Sequence, residues 1–410
     1  MGLVLLLAPG GAAGGMPGGE AAASEAVQKT ARGEGAKPEG ETPRRTVRLG
    51  SVQPRNRTID FRLKPAEVLA QVDRSLDELE KLAHKAGEAG CDVVAFPEDT
   101  LGLLKWLAAN PRDREAVLPE AVRRMLKRLG AAAAGHRMYL VCCNDVLGED
   151  GVLSNTAFFL GRDGAEIGRY HKVQPTILEA KSRRRGDRFP VFRTPDLGGV
   201  GMLICYDMVF PEAPRCLALA GADIIFHPTL GGAAIGGGDI SRAAFRTRAV
   251  ENFVYIVVSQ RGSGSMILSP QGAVLAEGKG PDDIVIADVD PFGGREGGDA
   301  FDRQKDMRAR LFRERSPAAY GILTDPNPPV LTKVPLGIDP AEAAGIADRA
   351  LTVGEHDFRA AESLARAGKR AEAIEAFEKL RVEYPGTWID RVARERLATL
   401  RSEPGSEPPQ

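Results

Sequence analysis

The sequence has no surplus of either charge: 55 Lys and Arg stand against 56 Asp and Glu in 410 residues, a formal net charge of −1. That balance removes the usual electrostatic case for nucleic-acid binding. No stretch approaches the ~18 apolar residues that cross a bilayer, so no membrane-spanning helix is expected. Cysteines are few, five in all, and an odd number in a long chain excludes a scaffold built on disulfides. No Cys-x-x-Cys pair occurs. The adjacent Cys142 and Cys143, with His136 or His171 nearby in sequence, would point to opposite faces of a strand, so core packing is expected there rather than zinc. Large apolar side chains are scarce in residues 1–45, which after a short apolar run at 3–8 mix Gly, Ala, Pro, Glu and Lys. Such a composition cannot offset its ordering entropy. The same run also fits the hydrophobic part of a secretory signal, with Gly11-Ala12-Ala13 near a cleavage site but no basic leading segment. A disordered leader and a signal both stay open, and with them cytoplasmic and exported addresses.

Folded patterning begins at Thr46. Alternation over 47–52 predicts a half-buried strand, and Pro65 opens a helix with Val68, Leu69, Val72, Leu76, Leu79 and Ala83 on one face, ending near Gly87 or Gly90. Apolar runs predict strands at 92–97, 138–143, 200–205, 224–226, 253–259 and 284–289, with helices over 115–134, 211–220 and 241–252. Arg162-Asp163-Gly164 and Ser269-Pro270-Gln271-Gly272 read as hairpin turns. Helices alternating with strands, interrupted by hairpins, predict an α/β fold with mixed sheets. The expected organisation is a leader at 1–45, a catalytic domain at 46–325, a linker at 326–357, helices at 358–401 and a disordered tail at 402–410. Within the helical part, Gly368, Ala373, Phe377, Tyr384 and Pro385 are similar to one tetratricopeptide-type hairpin. A repeat array needs several units to bury its faces, so a single hairpin suggests a cap or a docking appendage for a protein partner.

Three reactive residues sit at the ends of strand patterns. Glu98 follows the 92–97 run, Lys172 follows Tyr170-His171, and Cys205 ends the run Gly201-Met202-Leu203-Ile204. Sites on α/β sheets gather at carboxyl ends of strands, so the three can converge. A thiol becomes a strong nucleophile when a neighbouring base takes its proton. Glu98 suits that base and, later, the acid that protonates a leaving amine. Lys172 and the backbone N–H of Tyr206 suit the stabilisation of an oxyanion. Singly, each residue also fits a plainer role: a buried small hydrophobe, a helix cap, a solvated charge.

Their local context narrows the choice. Phe96-Pro97-Glu98, Tyr170-His171-Lys172 and Leu203-Ile204-Cys205-Tyr206-Asp207, followed by Phe210-Pro211-Glu212 and Arg215, resemble in content and order the Glu, Lys and Cys motifs of the nitrilase superfamily of carbon–nitrogen hydrolases. Matches at 248–255, Gly264-Ser265 and 269–272 extend the likeness over about two-thirds of the chain, residues 46–324. The resemblance implies an α-β-β-α sandwich of two mixed sheets and assigns the base, oxyanion and nucleophile roles to Glu98, Lys172 and Cys205. It implies a second glutamate after the lysine, for which Glu179 is the candidate, and a homodimer or larger homo-oligomer. It implies a thioester route that needs no metal or organic cofactor. Tyr206-Asp207, where nitrilases usually carry Trp-Glu, resembles amidase and carbamoylase branches, so an amide or N-carbamoyl substrate is expected.

Two alternatives stay open at this point: an acyltransferase using the same cysteine, and a non-catalytic assembly module docking through the C-terminal hairpin. The glycine-rich segment 229–238 lacks the Gly-Lys-Ser/Thr ending of a phosphate loop and is expected to widen or mobilise the pocket. The basic stretch Lys181-Ser182-Arg183-Arg184-Arg185 reads as a solvated loop. Cys91 and Cys216 read as structural.

Overall fold

The computed structural model describes residues 46–176, 178–231, 238–293, 307–326, 328–332, 345, 346, 349 and 353–402. Two βαβαβ units build it. In the first, β1 (Val47–Gln53), β2 (Val93–Ala95) and β3 (Tyr139–Leu147) run parallel, connected through α1 (Pro65–Glu88), the short α2 (Leu104–Ala109) and α3 (Arg114–His136). The antiparallel β4 (Leu153–Leu160) and β5 (Glu166–His171) extend one side of this sheet. In the second unit, β7 (Gly198–Met202), β8 (Ile224–Thr229) and β9 (Tyr255–Gln260) run parallel, joined through α4 (Glu212–Leu219) and α5 (Gly238–Asn252). Antiparallel strands flank it: β6 (Val191–Thr194) on one side, β10 (Met266–Leu268) and β11 (Val274–Glu277) on the other. The last strand, β12 (Asp283–Val289), returns to the first sheet and pairs antiparallel with β1, Val47 opposite Val289 and Gln53 opposite Asp283. The strand orders are β12-β1-β2-β3-β4-β5 and β11-β10-β9-β8-β7-β6, two mixed six-stranded sheets. The architecture is the α-β-β-α sandwich.

Period-two alternation sorts the side chains into layers. Leu49, Val93, Ala95, Val141, Cys143 and Phe159 join residues of the second sheet such as Met202, Ile225 and Val257 in one buried cluster. Their sequence neighbours Val94, Leu140, Cys142 and Phe158 turn the other way, against Val72, Leu76 and Leu79 of α1 and Leu118, Met125 and Leu129 of α3. Cys142 and Cys143 therefore belong to different cores, as strand geometry requires. Each fully buried leucine contributes about 1.5–3 kcal/mol relative to exposure.

Two helices escaped the sequence reading. The six-residue α2 is too short to show a period, yet it buries Trp106, whose Nε1–H donates to Leu63 O at 2.8 Å. The charged α6 (Met307–Glu314) drew no expectation from its sequence, yet Arg308 is buried, donating to Asp223 Oδ1 at 2.9 Å and to the carbonyls of Ala218 and Ala222.

The C-terminal helices α7 (Glu355–Arg366), α8 (Arg370–Glu383) and α9 (Trp388–Ser402) bury a core of their own, including Ala361, Phe377, Leu380, Tyr384, Ile389 and Leu397. Gly368, at φ +75°, makes the turn between α7 and α8, where a side chain would be strained. All three helices share this core.

Candidate active site

Strand direction brings the candidate residues together. Because β5 is antiparallel to β4, and β4 to β3, β5 runs parallel to β2, and both strands end on the same side of the first sheet. Glu98 follows β2, Lys172 follows β5, Cys205 follows β7, and Thr229-Leu230 closes β8. Glu179 arrives on a single 3₁₀ turn, Glu179–Lys181. That turn is fastened from the middle of the basic stretch: Arg183 N–H donates to Glu179 O at 2.8 Å, and its guanidinium grips Asp145 on β3 at 2.8 and 2.6 Å. The expectation of a solvated loop therefore fails at Arg183, which a carboxylate on the neighbouring strand draws inward. Arg184 stays exposed at the surface, where it pairs with Asp150.

Lys172 lies at the centre, 2% exposed. Its Nζ donates to Glu98 Oε1 at 3.0 Å and to Glu179 Oε1 and Oε2 at 2.9 and 2.8 Å. Burial works against the ammonium, but Glu98, the sulfur of Cys205 and Glu179 outweigh it and hold Lys172 well above its ordinary value. Burial likewise opposes ionisation of Glu179. The Lys172 charge, its hydrogen bonds, the Thr176 N–H at 2.8 Å and Asn155 overcome that, so Glu179 titrates below the usual carboxylate range.

Cys205 is half-buried and opens a second 3₁₀ turn, Cys205–Val209, with Tyr206 as its next residue. Its φ is +45°, a left-handed conformation that costs a non-glycine residue of order 1–3 kcal/mol and is held only by its surroundings. Burial pushes the thiol up to about 12, with the Glu98 charge adding, while Lys172 and hydrogen bonds from Thr229 and the Leu230 N–H offset part of the rise. At neutral pH the sulfur is therefore a thiol, and nucleophilicity requires a base to take its proton. Glu98, Asp99, Leu104, Asp145, Asn155 and Leu230 line a small cavity of about 10 Å³.

A family model described as carbon-nitrogen hydrolase matches residues 48–295. The chain belongs to the carbon–nitrogen hydrolases. It is 28% identical over 263 residues to a deaminated glutathione amidase of Synechocystis sp., covering 58% of this chain and 90% of the relative. It is 31% identical over 243 residues to a nitrilase of Pyrococcus abyssi, covering 55% and 86%. Among solved structures, an amidase from Nesterenkonia sp. AN1, with the acetamide moiety of fluoroacetamide added covalently at its active-site cysteine, superposes with a TM-score of 0.53 at 22% identity, covering 69% of this chain and 99% of the amidase. The hydrolase is thus an enzyme of the nitrilase superfamily with a cysteine-dependent chemistry. The family match ends before the C-terminal helices begin.

Two residues that this hydrolase places at its centre carried no expected role. Asp207, noted only as part of the motif, is fully buried and accepts from Tyr170 Oη at 2.7 Å, Gln174 N–H at 2.8 Å and Ile204 N–H at 2.9 Å. One carboxylate thus ties the strained Cys205 turn to the segment leaving Lys172. Burial pushes Asp207 up to about 6, with the hydrogen bonds from Ile204 and Tyr170 pulling back. A carboxyl raised in the folded state contributes stability below its unfolded value, about 3.9, and that contribution is lost as pH rises through the folded value. Asp207→Asn is expected to be less stable at neutral pH and to lose this component of the decline, measured as urea midpoints near pH 4.5 and pH 7. Equal declines in both proteins would remove Asp207 as the group responsible.

The second residue is Asn155 on β4, which lies between Ser154 and Thr156 ahead of the apolar run Ala157-Phe158-Phe159-Leu160, so its polarity did not stand out from its neighbours. Elsewhere, Cys91 is buried but Cys216 is exposed, so the structural reading of Cys216 is corrected: its helix position faces solvent. His136 pairs with His84 and His171 with Thr156, and among the described residues no group of three or more His, Cys, Asp or Glu is arranged to hold a metal. Residues 232–237, most of the glycine-rich segment, lie outside the described residues.

Proposed function

We propose that this hydrolase cleaves the C–N bond of small carboxamides or N-carbamoyl compounds, with Cys205 as nucleophile, Glu98 as general base and acid, and Lys172 with the Tyr206 N–H as oxyanion donors. The observation that carries this reading is the convergence of the three groups: Lys172 Nζ lies 3.0 Å from Glu98 Oε1, the Leu230 N–H lies 3.2 Å from Glu98 Oε2, and the charges of Glu98 and Lys172 both bear on the Cys205 thiol.

Cys205 Sγ attacks the carbonyl carbon while its proton passes to Glu98. The C–N bond then breaks, and Glu98 returns that proton to the departing ammonia or amine. Glu98 next takes a proton from water, which attacks the thioester and releases the carboxylic acid and the thiol. Lys172 balances the charge that grows on oxygen in both steps. Glu179 acts through Lys172: three contacts to its carboxylate and Glu98 keep the ammonium aimed. Amidases among the relatives support an amide over a nitrile, as does Tyr206-Asp207 in the motif.

Residues 46–325 are the proposed catalytic unit, which assembles as a homodimer or larger oligomer. The tetratricopeptide-like helices at 358–401 are the proposed appendage for a protein partner.

The test is ammonia release by the full chain from a panel of aliphatic amides, N-carbamoyl amino acids and nitriles. Release from amides or carbamoyl compounds is expected. Release confined to nitriles, or acyl transfer to added amines without net hydrolysis, would overturn the substrate assignment.

A further inference from the structure

Asn155 lies between the two carboxylates and is 5% exposed. Its Nδ2 donates to Glu98 Oε1 at 2.8 Å and to Glu179 Oε1 at 3.0 Å, one hydrogen to each. Its Oδ1 accepts from the Cys143 thiol at 3.4 Å, and its backbone carbonyl accepts from the Lys172 N–H at 2.9 Å. The amide orientation follows from its neighbours: two carboxylates can only accept, and the thiol donates. Strand register sets the position, because Thr156 pairs with His171 and so puts Asn155 level with Lys172 at the end of the β4–β5 ladder.

The consequence concerns which oxygen of Glu98 works. Oε1 accepts from both Asn155 and Lys172, whereas Oε2 accepts from the Leu230 N–H at 3.2 Å, and the Glu98 charge bears on Cys205. We infer that Asn155 is a positioning residue that occupies Glu98 Oε1 and so reserves Oε2 for proton exchange with Cys205. Lys172 by itself leaves the Glu98 carboxylate free to rotate about its last bond, because a rounded ammonium imposes no plane. The flat amide, itself anchored by Cys143 and shared with Glu179, supplies one. This inference rests on Glu98 being the base, as proposed above.

The test uses a probe that needs only a thiol and its base. The full chain carrying Cys216→Ser, which removes the exposed cysteine, is alkylated with iodoacetamide between about pH 3 and 9, and labelling of Cys205 is followed by peptide mass. Asn155→Leu and the near-isosteric Asn155→Asp are compared with the parent. A carboxylate that loses a donor holds its proton to higher pH, so the acid limb is expected to move up by about one unit in Asn155→Leu, a roughly tenfold lower rate along that limb. In Asn155→Asp the added charge moves it further. With an amide that the parent turns over, kcat falls while KM stays within about twofold. Acid limbs that coincide with the parent's in either folded variant, whatever the change in overall rate, would overturn the positioning role. A parent that shows no acid limb would instead remove Glu98 as the base, a distinct failure.

Discussion

Replacing Cys205 with alanine is expected to leave a folded protein that forms no acyl-enzyme and loses amide turnover by roughly 10⁴-fold or more, down to what binding and polarisation alone supply. The fold should tolerate the change. Alanine meets the same left-handed backbone penalty at φ +45° as cysteine does, and the thiol is only half-buried. Stability is therefore expected within about 1 kcal/mol of the parent. Intact mass after mixing with an amide substrate, or with fluoroacetamide, reads the outcome: one acyl or acetamide group on Cys205 in the parent and none in Cys205→Ala. An adduct that survives the substitution would move the nucleophile elsewhere. A second change separates nucleophile from base, since the thiol, pushed up to about 12, cannot ionise unaided at neutral pH.

Lys172→Met is expected to damage both activity and stability. Methionine matches the length of lysine but leaves Glu98 and Glu179 buried beside each other without their cation. Removing one partner of a buried ion pair costs about 3–5 kcal/mol, and loss of an oxyanion donor costs about 10²–10³ in kcat. The pH dependence distinguishes this cause from lost packing. In the parent, Glu179 titrates below its ordinary value, so its contribution is present above the unfolded value and is lost as pH falls through the folded one. Without Lys172 two facing carboxylates cannot both ionise, one is raised, and its contribution is instead lost as pH rises. The stability deficit of Lys172→Met should thus be largest near neutral pH and shrink below about pH 4.5, the range where carboxyls take up protons. Denaturant midpoints at several pH values check this, and a deficit independent of pH would assign the loss to packing.

The Glu98, Lys172 and Cys205 segments were legible because each reactive residue lies next to a strand whose apolar run is local in sequence. Glu179 could be named as a candidate, but its meeting with Lys172 depends on Arg183 reaching Asp145 on another strand. Asn155 and Asp207 were not legible as working residues. An asparagine in a strand or an aspartate after a cysteine carries no local mark of what it will touch. Apart from Ile204, their side-chain partners lie 12 to 57 residues away, at Cys143, Glu179, Gln174, Tyr170 and Glu98. The helix α6 escaped for the reverse reason: its arginines have the composition of a surface, and the carboxylate of Asp223 with the carbonyls of Ala218 and Ala222 favours burial of Arg308.

Sequence by itself determined the alternation of strands and helices, the mixed character of the sheets, the family and the three motif residues, because periodicity and motif spacing are properties of neighbouring positions. Tertiary structure alone decided which donors each oxygen of Glu98 accepts, which side chains hold Lys172, and how a strained backbone at Cys205 is kept in place. Those depend on strand order and register, which bring distant segments to hydrogen-bond distance in a buried site where every polar group must find a partner.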